Sequence, residues 1–349
     1  MKKESLADKM ARKAFEKPDV RKSWDVHMRA FGPILEPAFA NNLQARIHLT
    51  AALNHISNRN LAQALLKLKA LQKAVANEAD RAALLFCFGL YSEVAGSQEQ
   101  MLAYYSYANQ CGHRFYLPYL KVAKFYLSGR MCREAEEHFR KAIDCFNAEG
   151  LSDADKIVLG SVYTNLASCL TMEHRYDEAE TALKNSRILC PDAPGRAAAE
   201  AVLHAIRGEE ALVEECLAIL KAQGEEVWAA VKKNTDGILA GTDPMFFEVS
   251  VDEEKIAAFW QWFAGYEEDM KTLLDKEKYD EGLTPVAKQL LEAFPFLEKI
   301  PNVGLGMNKQ GYVVELKDYY AVAVAAAYEK LLAACPEEIR ECWQFAIAH

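Results

Sequence analysis

Few residues of this 349-residue chain stand at the spacings that chemistry requires. His48 and His55 lie seven positions apart, which would place both imidazoles near one face of a helix, but a zinc site needs a third ligand close by. The nine cysteines are scattered singly, without a C-x-x-C pair. We interpret them as buried thiols in a reduced compartment, and we expect no metal site and no cofactor.

Two carboxylate clusters, Glu253–Glu254 and Glu267–Asp269, have the composition of acid–base pairs. Both lie on an amphipathic helix beside its apolar face, so solvated surface charge is the better interpretation. Gly304-Leu305-Gly306 carries two glycines of a dinucleotide fingerprint but lacks the third glycine and the long βαβ unit. We interpret these as strand glycines beside a hairpin. We predict no catalytic residue and expect that the chain is not an enzyme.

Composition narrows the class of protein. Hydrophobic residues make up 51% and charged residues 26%, which is typical of a folded chain. The net charge of −9, without a basic stripe, disfavours nucleic acid as a partner, because affinity for phosphates comes from Lys and Arg. No apolar run is long enough to span a membrane, and the charged N-terminus does not resemble a signal peptide. We expect a cytoplasmic protein.

The elements that must position any binding residue repeat along the chain. The clearest unit runs from 160 to 193 and follows the pattern large-x2-Leu-small-x2-large, then small-x3-large, then Pro. Its signature residues are Tyr163, Leu166, Ala167, Leu170, Ala179, Leu183, Ser186 and Pro191. This stretch resembles a tetratricopeptide repeat. The resemblance implies paired helices that stack into a right-handed α-solenoid and hold another protein.

Spacing supports the repeat. The small residues Gly89 and Ala123 stand one 34-residue period apart, and Ala167 follows after a period lengthened by about ten residues. The extra residues fall at 147–155, where we expect a longer connection. Large side chains such as Phe139 and Leu183 should fill the gaps between neighbouring pairs.

The repeat pattern divides the chain into parts. We predict an N-terminal helical segment at 1–44, a linker at 228–244 and a C-terminal α+β domain at 245–349, with helix pairs at about 45–78, 82–115, 116–149, 160–193 and 194–227. Two interpretations of 1–44 stay open: it caps the first repeat through residues such as Met10, Phe15, Trp24, Met28 and Phe31, or it is a mobile basic arm.

The predicted C-terminal domain has the element order β-α-α-β-β-α-β. A first strand is expected at 247–251 because Phe247, Val249 and Val251 alternate with polar residues. A hairpin is expected around residues 302–316, and the chain should end on a strand at 343–347. With its Phe259–Phe263 aromatic run and its terminal Trp343, this half resembles domains of uncharacterised bacterial proteins.

In tetratricopeptide proteins, the first helix of each pair lines a concave groove that holds a peptide. The resemblance therefore implies groove positions at Phe86, Leu90, Leu120, Lys121, Lys124, Leu127, Thr164, Asn165, Ser168 and Thr171. Lys121 and Lys124 would attract an acidic or carboxylate group, and Phe86 and Leu120 would form an apolar anchor. Alternatively, the lysines are solvated and the apolar residues pack against the N-terminal segment or the C-terminal domain.

Two classes of function remain. The first is a protein-interaction scaffold that binds a partner protein or peptide in the groove. The second is an enzyme whose site lies in the C-terminal domain, with the repeats as a targeting module. A homo-oligomer is also open, because Trp262 and Tyr266 flank the apolar face of one helix and could leave an exposed patch.

Overall fold

The computed structural model describes residues 25, 27–28, 31–32, 34–111, 115–146, 151–193, 195–297, 303–308, 311–319 and 321–348. The chain divides into two compact units, 1–166 and 167–349, with the division inside one helix.

Unit 1 consists of helix pairs, and a short turn joins the two helices of each pair. Its helices are α1 (Leu43–Ser57), α2 (Leu61–Gln72), α3 (Glu78–Ala95), α4 (Gln98–Asn109), α5 (Tyr116–Ser128), α6 (Cys132–Asp144) and the first part of α7 (Asp153–Met172). α1 packs on α2, α3 on α4 and α5 on α6, and α2 also contacts α3 as α4 contacts α5. Successive pairs therefore stack, as expected for a helical repeat.

The turn inside each pair has one backbone geometry. A residue with positive φ follows the first helix in every case: Arg59 (55°), Gly96 (80°), Arg130 (59°), His174 (60°), Gly208 (71°) and Glu277 (60°). The next N–H donates to a carbonyl five residues back, as Arg175 does to Leu170 at 2.8 Å. This is the hydrogen bond of a Schellman motif, which ends a helix and reverses the chain.

The small residues of the repeat lie where the helices cross. Gly89 in α3 faces Tyr105 in α4, and a Cβ at position 89 would come within 2.9 Å of three ring atoms of that tyrosine. Ala123 and Ala167 have no exposed surface, and neither does Phe139. The register predicted from the spacing of these residues agrees with their burial.

The extra residues before the fourth pair lengthen a helix rather than a loop alone. α7 begins at Asp153, inside the connection predicted at 147–155, of which residues 147–150 lie outside the described part. Ser152 Oγ accepts a hydrogen bond from the N–H of Asp155, and the Asp155 carboxylate accepts one from the N–H of Ser152. This reciprocal cap, of the capping-box kind, starts the helix early.

Unit 2 continues the helix pairs. After the end of α7 come α8 (Tyr176–Leu189), α9 (Arg196–Ile206), α10 (Glu210–Gln223) and α11 (Glu225–Leu239). α9 packs on α10, and α11 packs on both. A buried carboxylate joins α8 to α9, since Glu200 accepts from Arg187 at 2.7 Å, and both of its oxygens accept from one terminal nitrogen of Arg196.

The predicted linker at 228–244 is instead mostly helical. Trp228, Val231, Thr235 and Ile238 recur at helical spacing, and they form the face of α11 that packs on α9 and α10, with Thr235 and Ile238 buried. The polar run at 232–237 has the composition of a loop, but its charges lie on the solvent side of this helix. The N–H groups of Val322 and Ala323 donate to the carbonyls of residues 245 and 244, so this segment is also held in place.

The C-terminal part of unit 2 combines helices with a small sheet. Its elements are α12 (Glu253–Asp275), α13 (Tyr279–Ala293), a short 3-10 turn (Pro295–Leu297), β1 (Val303–Asn308), β2 (Gly311–Lys317), α14 (Val322–Ala333), α15 (Glu337–Cys342) and β3 (Gln344–Ala348). The sheet order is β1-β2-β3, with β1 antiparallel and β3 parallel to β2. The predicted hairpin and terminal strand are present, and Gly304 and Gly306 are strand residues.

The strand predicted at 247–251 does not form. Its alternation is real, since Glu248 and Ser250 are exposed while Phe247, Val249 and Val251 are half-buried. In the described part of the sheet, however, no strand pairs with this segment, and a strand exists only where a neighbour completes its hydrogen bonds. Phe247 instead packs with the α9–α11 cluster and Val251 with the C-terminal core.

The first two helices of the C-terminal part repeat the geometry of the earlier pairs. Glu277 occupies the positive-φ turn position between α12 and α13, and the N–H of Lys278 donates to Leu273 at 2.9 Å. Gly282 lies against Leu274, where a Cβ would come within 3.2 Å of a methyl carbon. The sequence did not reveal this pair as a further repeat, because its aromatic residues are shared with the domain core. The chain is thus mostly α-helical, a solenoid-type array of helix pairs followed by a small α+β part.

Gly89→Ala should destabilise the protein by about 1–3 kcal/mol, because the added methyl group meets the ring of Tyr105 in a packed interior. Gly129→Ala is the matched control. Its Cβ would lie 3.5 Å from the nearest atom at φ −86°, so a change within about 0.5 kcal/mol is expected. Urea unfolding followed by circular dichroism measures both, and equal stabilities would contradict the packing described.

Candidate functional site

The N-terminal segment fills the start of the predicted groove. Phe31 lies edge-to-face on Phe86 of α3, with ring centroids 5.4 Å apart. Phe86 also contacts Tyr105 and has no exposed surface, and Leu90 is 7% exposed. Because both side chains are covered, neither offers a surface to a partner in this structure. Met10, Phe15 and Trp24 lie outside the described residues.

Hydrogen bonds fix this segment to α1 and α3. The buried carboxylate of Asp80 accepts from the N–H of Phe39 at 2.5 Å and from that of Ala76 at 3.0 Å. Arg46 donates to the carbonyls of Glu36 and Ala38. These bonds satisfy polar groups that would otherwise be buried without partners.

The backbone of Phe39 shows how firmly the segment is held. Its φ is 52°, a left-handed conformation that costs a bulky residue on the order of 1–3 kcal/mol. The ring of Phe39 is 2% exposed, and Ile34, Leu35 and Ala38 are fully buried beside it in sequence. The described part of the N-terminal segment is therefore a packed element, which favours the capping interpretation over a mobile arm.

The side chains of two other predicted groove residues are not available to a partner. Thr164 donates its hydroxyl to Gly160 at 3.1 Å, and Thr171 donates to Ala167 at 2.8 Å, each within its own helix. Both threonines are buried. Asn165 and Ser168 are half-buried and keep part of their surface in solvent.

The remaining predicted residues share one stretch of α5. Leu120, Lys121 and Leu127 are half-buried, and Lys124 is exposed. Leu120, Lys124 and Leu127 follow one another at spacings of four and three, so they form a single strip along the helix. We call these three residues the α5 strip.

Lys121 has a partner within the protein. Its ammonium group lies 2.9 Å from Oε2 of Glu93, an oxygen that also accepts a hydrogen bond from the hydroxyl of Tyr105 at 2.9 Å. Burial, aided by the Glu93 carboxylate, holds the pKa of the Tyr105 phenol well above its usual range. The positive charge of Lys121 is thus largely neutralised by Glu93 before any ligand binds.

Glu93 and Asp80 are the important residues that the sequence alone did not reveal. Glu93 stands 28 residues before Lys121, on the first helix of the preceding pair, so the two residues do not hold equivalent repeat positions and the repeat pattern does not mark them as a pair. Asp80 stands behind the N-cap Asn77, whose side chain accepts from the N–H of Asp80. In sequence it looks like an ordinary first-turn carboxylate.

The C-terminal part contains an open groove of about 810 Å³ between α12 and the end of α14. Ile256, Trp260 and Ala333 are among its apolar walls, and the exposed side chains of Gln261 and Lys330 lie at its rim. The indole N–H of Trp260 donates to the carbonyl of Leu331 at 2.8 Å, which fixes the ring. Its lining residues include no Ser, Thr, Cys or His.

The aromatic pair predicted as an exposed patch is partly covered. Trp262 stacks on Tyr266 with ring centroids 5.0 Å apart, and both pack against the C-terminal core. The Tyr266 hydroxyl donates to the carbonyl of Gly282 at 3.1 Å. This pair therefore ties α12 to α13.

Among the described residues, no three His, Cys, Asp or Glu side chains are grouped so that they could hold a metal ion. None of the helices formed by these residues has the length and apolar character needed to cross a membrane.

Asp80→Asn should destabilise the protein by about 1–3 kcal/mol, because the amide offers one acceptor and leaves a buried N–H unpaired. Chymotrypsin should also cut faster after Phe39. Asp144→Asn, at an exposed position of α6, is the control and should change neither stability nor cleavage. Unaltered stability and cleavage in Asp80→Asn would show that Asp80 does not anchor the segment.

Comparison with known proteins identifies neither a family nor a function for the chain. No protein-family model matches the chain, and no curated protein matches it. A solved structure of PilF from Pseudomonas aeruginosa aligns with 17% identity and a TM-score of 0.42, over 57% of this chain and 88% of that one. Aspartyl phosphate phosphatase F from Bacillus subtilis aligns with 16% identity and a TM-score of 0.44, over 83% of this chain and 70% of its own. Likenesses this distant carry no functional argument.

Proposed function

We propose that this chain is a protein-interaction scaffold that binds a partner protein or peptide along the α5 strip. The observation that carries the proposal is the exposed ammonium group of Lys124 between the half-exposed Leu120 and Leu127. In the described part of the chain, no ion pair involves Lys124. A side chain of this kind can pair with a partner's carboxylate while the leucines bury apolar surface beside it.

The charge of Glu93 decides where the partner's carboxylate sits. An acidic group approaching Lys121 would meet Glu93, whose carboxylate is 41% exposed and already bonded to that lysine. The negative charge of Glu93 would repel the partner's carboxylate, so this carboxylate is directed to Lys124. The proposed partner is a segment with one acidic residue flanked by apolar residues.

The filled start of the groove limits the proposed surface. Because Phe31 covers Phe86, the partner would not extend onto α3 at that point. Asn165, half-buried on α7, is the further predicted residue of unit 1 that keeps polar surface for such a segment. The proposed surface is therefore shorter than a complete tetratricopeptide groove.

The enzyme alternative would need a site in residues 245–349, and the groove beside Trp260 is its candidate place. Its walls are apolar, and its polar side chains, Glu253, Gln261 and Lys330, are exposed surface groups. Such a lining is suited to binding more than to bond-breaking chemistry. We therefore retain the scaffold as the proposed function.

Lys124→Glu should reduce the recovery of bound partners at least tenfold, equivalent to about 1.4 kcal/mol, in a quantitative pull-down with the full chain. Lys69→Glu makes the same charge change at an exposed position of α2 and should leave recovery unchanged. Lys121→Met should have the smaller effect of the two α5 changes, because Glu93 already pairs with that lysine. Equal losses in Lys124→Glu and Lys69→Glu, or none in either, would rule out the α5 strip.

A further inference from the structure

The third strand ends the sheet on one side. β3 pairs with β2 and has no strand on its other side among the described residues. Each of its five residues, Gln344–Ala348, is partly exposed rather than buried. An edge of this kind presents backbone donors and acceptors to whatever lies beside it.

The orientation of the β3 backbone follows from one hydrogen bond. The N–H of Asp318 donates to the carbonyl of Ala348 at 3.0 Å, so the backbone groups of Ala348 face β2. In a parallel pair, alternate residues point to opposite sides. The backbone groups of Ala346 and Gln344 therefore face β2 as well, whereas the N–H and C=O groups of Phe345 and Ile347 face outward. Within the described part of the chain, nothing in the backbone bonds to those outward groups.

The side chains of β3 would not prevent another strand from pairing with its free edge. Natural edge strands are usually protected by a charged residue, a proline or a bulge. The sequence Gln-Phe-Ala-Ile-Ala contains no charged residue and no proline. The register with β2 runs without a bulge from Gln344 to Ala348. This edge is thus uncharged, regular and partly apolar.

We propose that β3 pairs with β3 of a second copy of this chain, antiparallel and centred on Ala346. With this centre, Phe345 stands opposite the partner's Ile347, and Ile347 opposite the partner's Phe345. Both positions have outward backbone groups, so they form the hydrogen-bonded pairs that an antiparallel ladder requires. Ala346 meets the partner's Ala346 at the non-hydrogen-bonded position, where facing Cα atoms lie about 4.5 Å apart.

Moving the centre weakens the pairing. Centred on Phe345 or on Ile347, the five-residue strand would bring fewer of its outward groups opposite one another. The Ala346 centre uses both outward residues of each copy and gives about four hydrogen bonds across the two-fold axis.

The faces of the sheet also match in this arrangement. Phe345 and Ile347 lie on the covered face, where Phe345 packs 5.2 Å from Trp260 and 5.3 Å from Phe263 between ring centroids. Opposite residues of paired strands share a face, so each Phe345 would contact the partner's Ile347 on the apolar side. Aromatic and β-branched residues are favourable cross-strand neighbours. The result is one continuous sheet of six strands.

The expected association is weak, because a five-residue edge buries much less than the roughly 1,200–2,000 Å² of a stable interface. In sedimentation velocity with the full chain, the average mass should rise with concentration above the 39.1 kDa of one copy. A mass that stays at one copy across the concentration series overturns the proposal, even if the chain binds a strand from another protein.

A charge-swap pair tests the two-fold centre. Ala346→Lys and Ala346→Glu each place like charges opposite themselves, so each alone should weaken dimerisation at least tenfold, while their equimolar mixture should dimerise again. Glu315 lies beside Ala346 on β2, so thermal unfolding must first show that both variants are folded. Folded variants that dimerise like the wild type, or a mixture that stays monomeric, contradict this centre.

A conservative variant keeps the test informative if a charge disturbs the sheet. Cys342, which is exposed, is first replaced by Ser to remove unwanted cross-links. In that background, Ala346→Cys places the two new thiols on facing strands, within the range that a disulfide can bridge. Mild oxidation should yield a covalent dimer. Gln344→Cys, which would face the partner's Ala348, should not cross-link, and equal cross-linking of both variants would overturn the proposal.

Discussion

The helix pairs depend on the close approach of two backbones, which is possible only where one side chain is nearly absent. At Gly89 the ring of Tyr105 occupies the space that any Cβ would need, and Tyr105 is itself fully buried. Since the ring packs against the backbone at this position, the two helices cannot slide along each other without losing van der Waals contact. The hydroxyl of Tyr105 then reaches Glu93 and, through it, Lys121 of the next pair. One small residue thus sets both the packing within a pair and a polar link to the neighbouring pair.

The fold could be predicted from sequence where local pattern and tertiary packing agree. The small residues Gly89, Ala123 and Ala167 are buried, and each lies in the first helix of a pair. The pattern failed at α11, where a polar run looked like a linker although Trp228 and Ile238 mark a helix face. It failed again at 247–251, because alternation describes one strand and says nothing of whether a neighbour exists.

Function was less predictable for a physical reason. The groove positions of a tetratricopeptide repeat follow from helix geometry, but whether they are open depends on what the rest of the chain packs against them. Phe86 was predicted to line the groove, but it contacts Phe31, a residue far from it in sequence. The ammonium group of Lys121 likewise pairs with the Glu93 carboxylate, whereas Lys124 is exposed. Such differences arise only after folding, and no single-sequence pattern encodes them.

The anchoring of the N-terminal segment has a consequence for biosynthesis. Phe31 and Phe39 leave the ribosome before Phe86 and Asp80, the residues that they contact. At about 5–20 residues per second, the segment waits several seconds for its docking surface to be made. During that interval its apolar residues, Ile34 and Leu35 among them, are exposed in the nascent chain, where chaperones could bind them. The segment is therefore made before the surface that gives it its final environment.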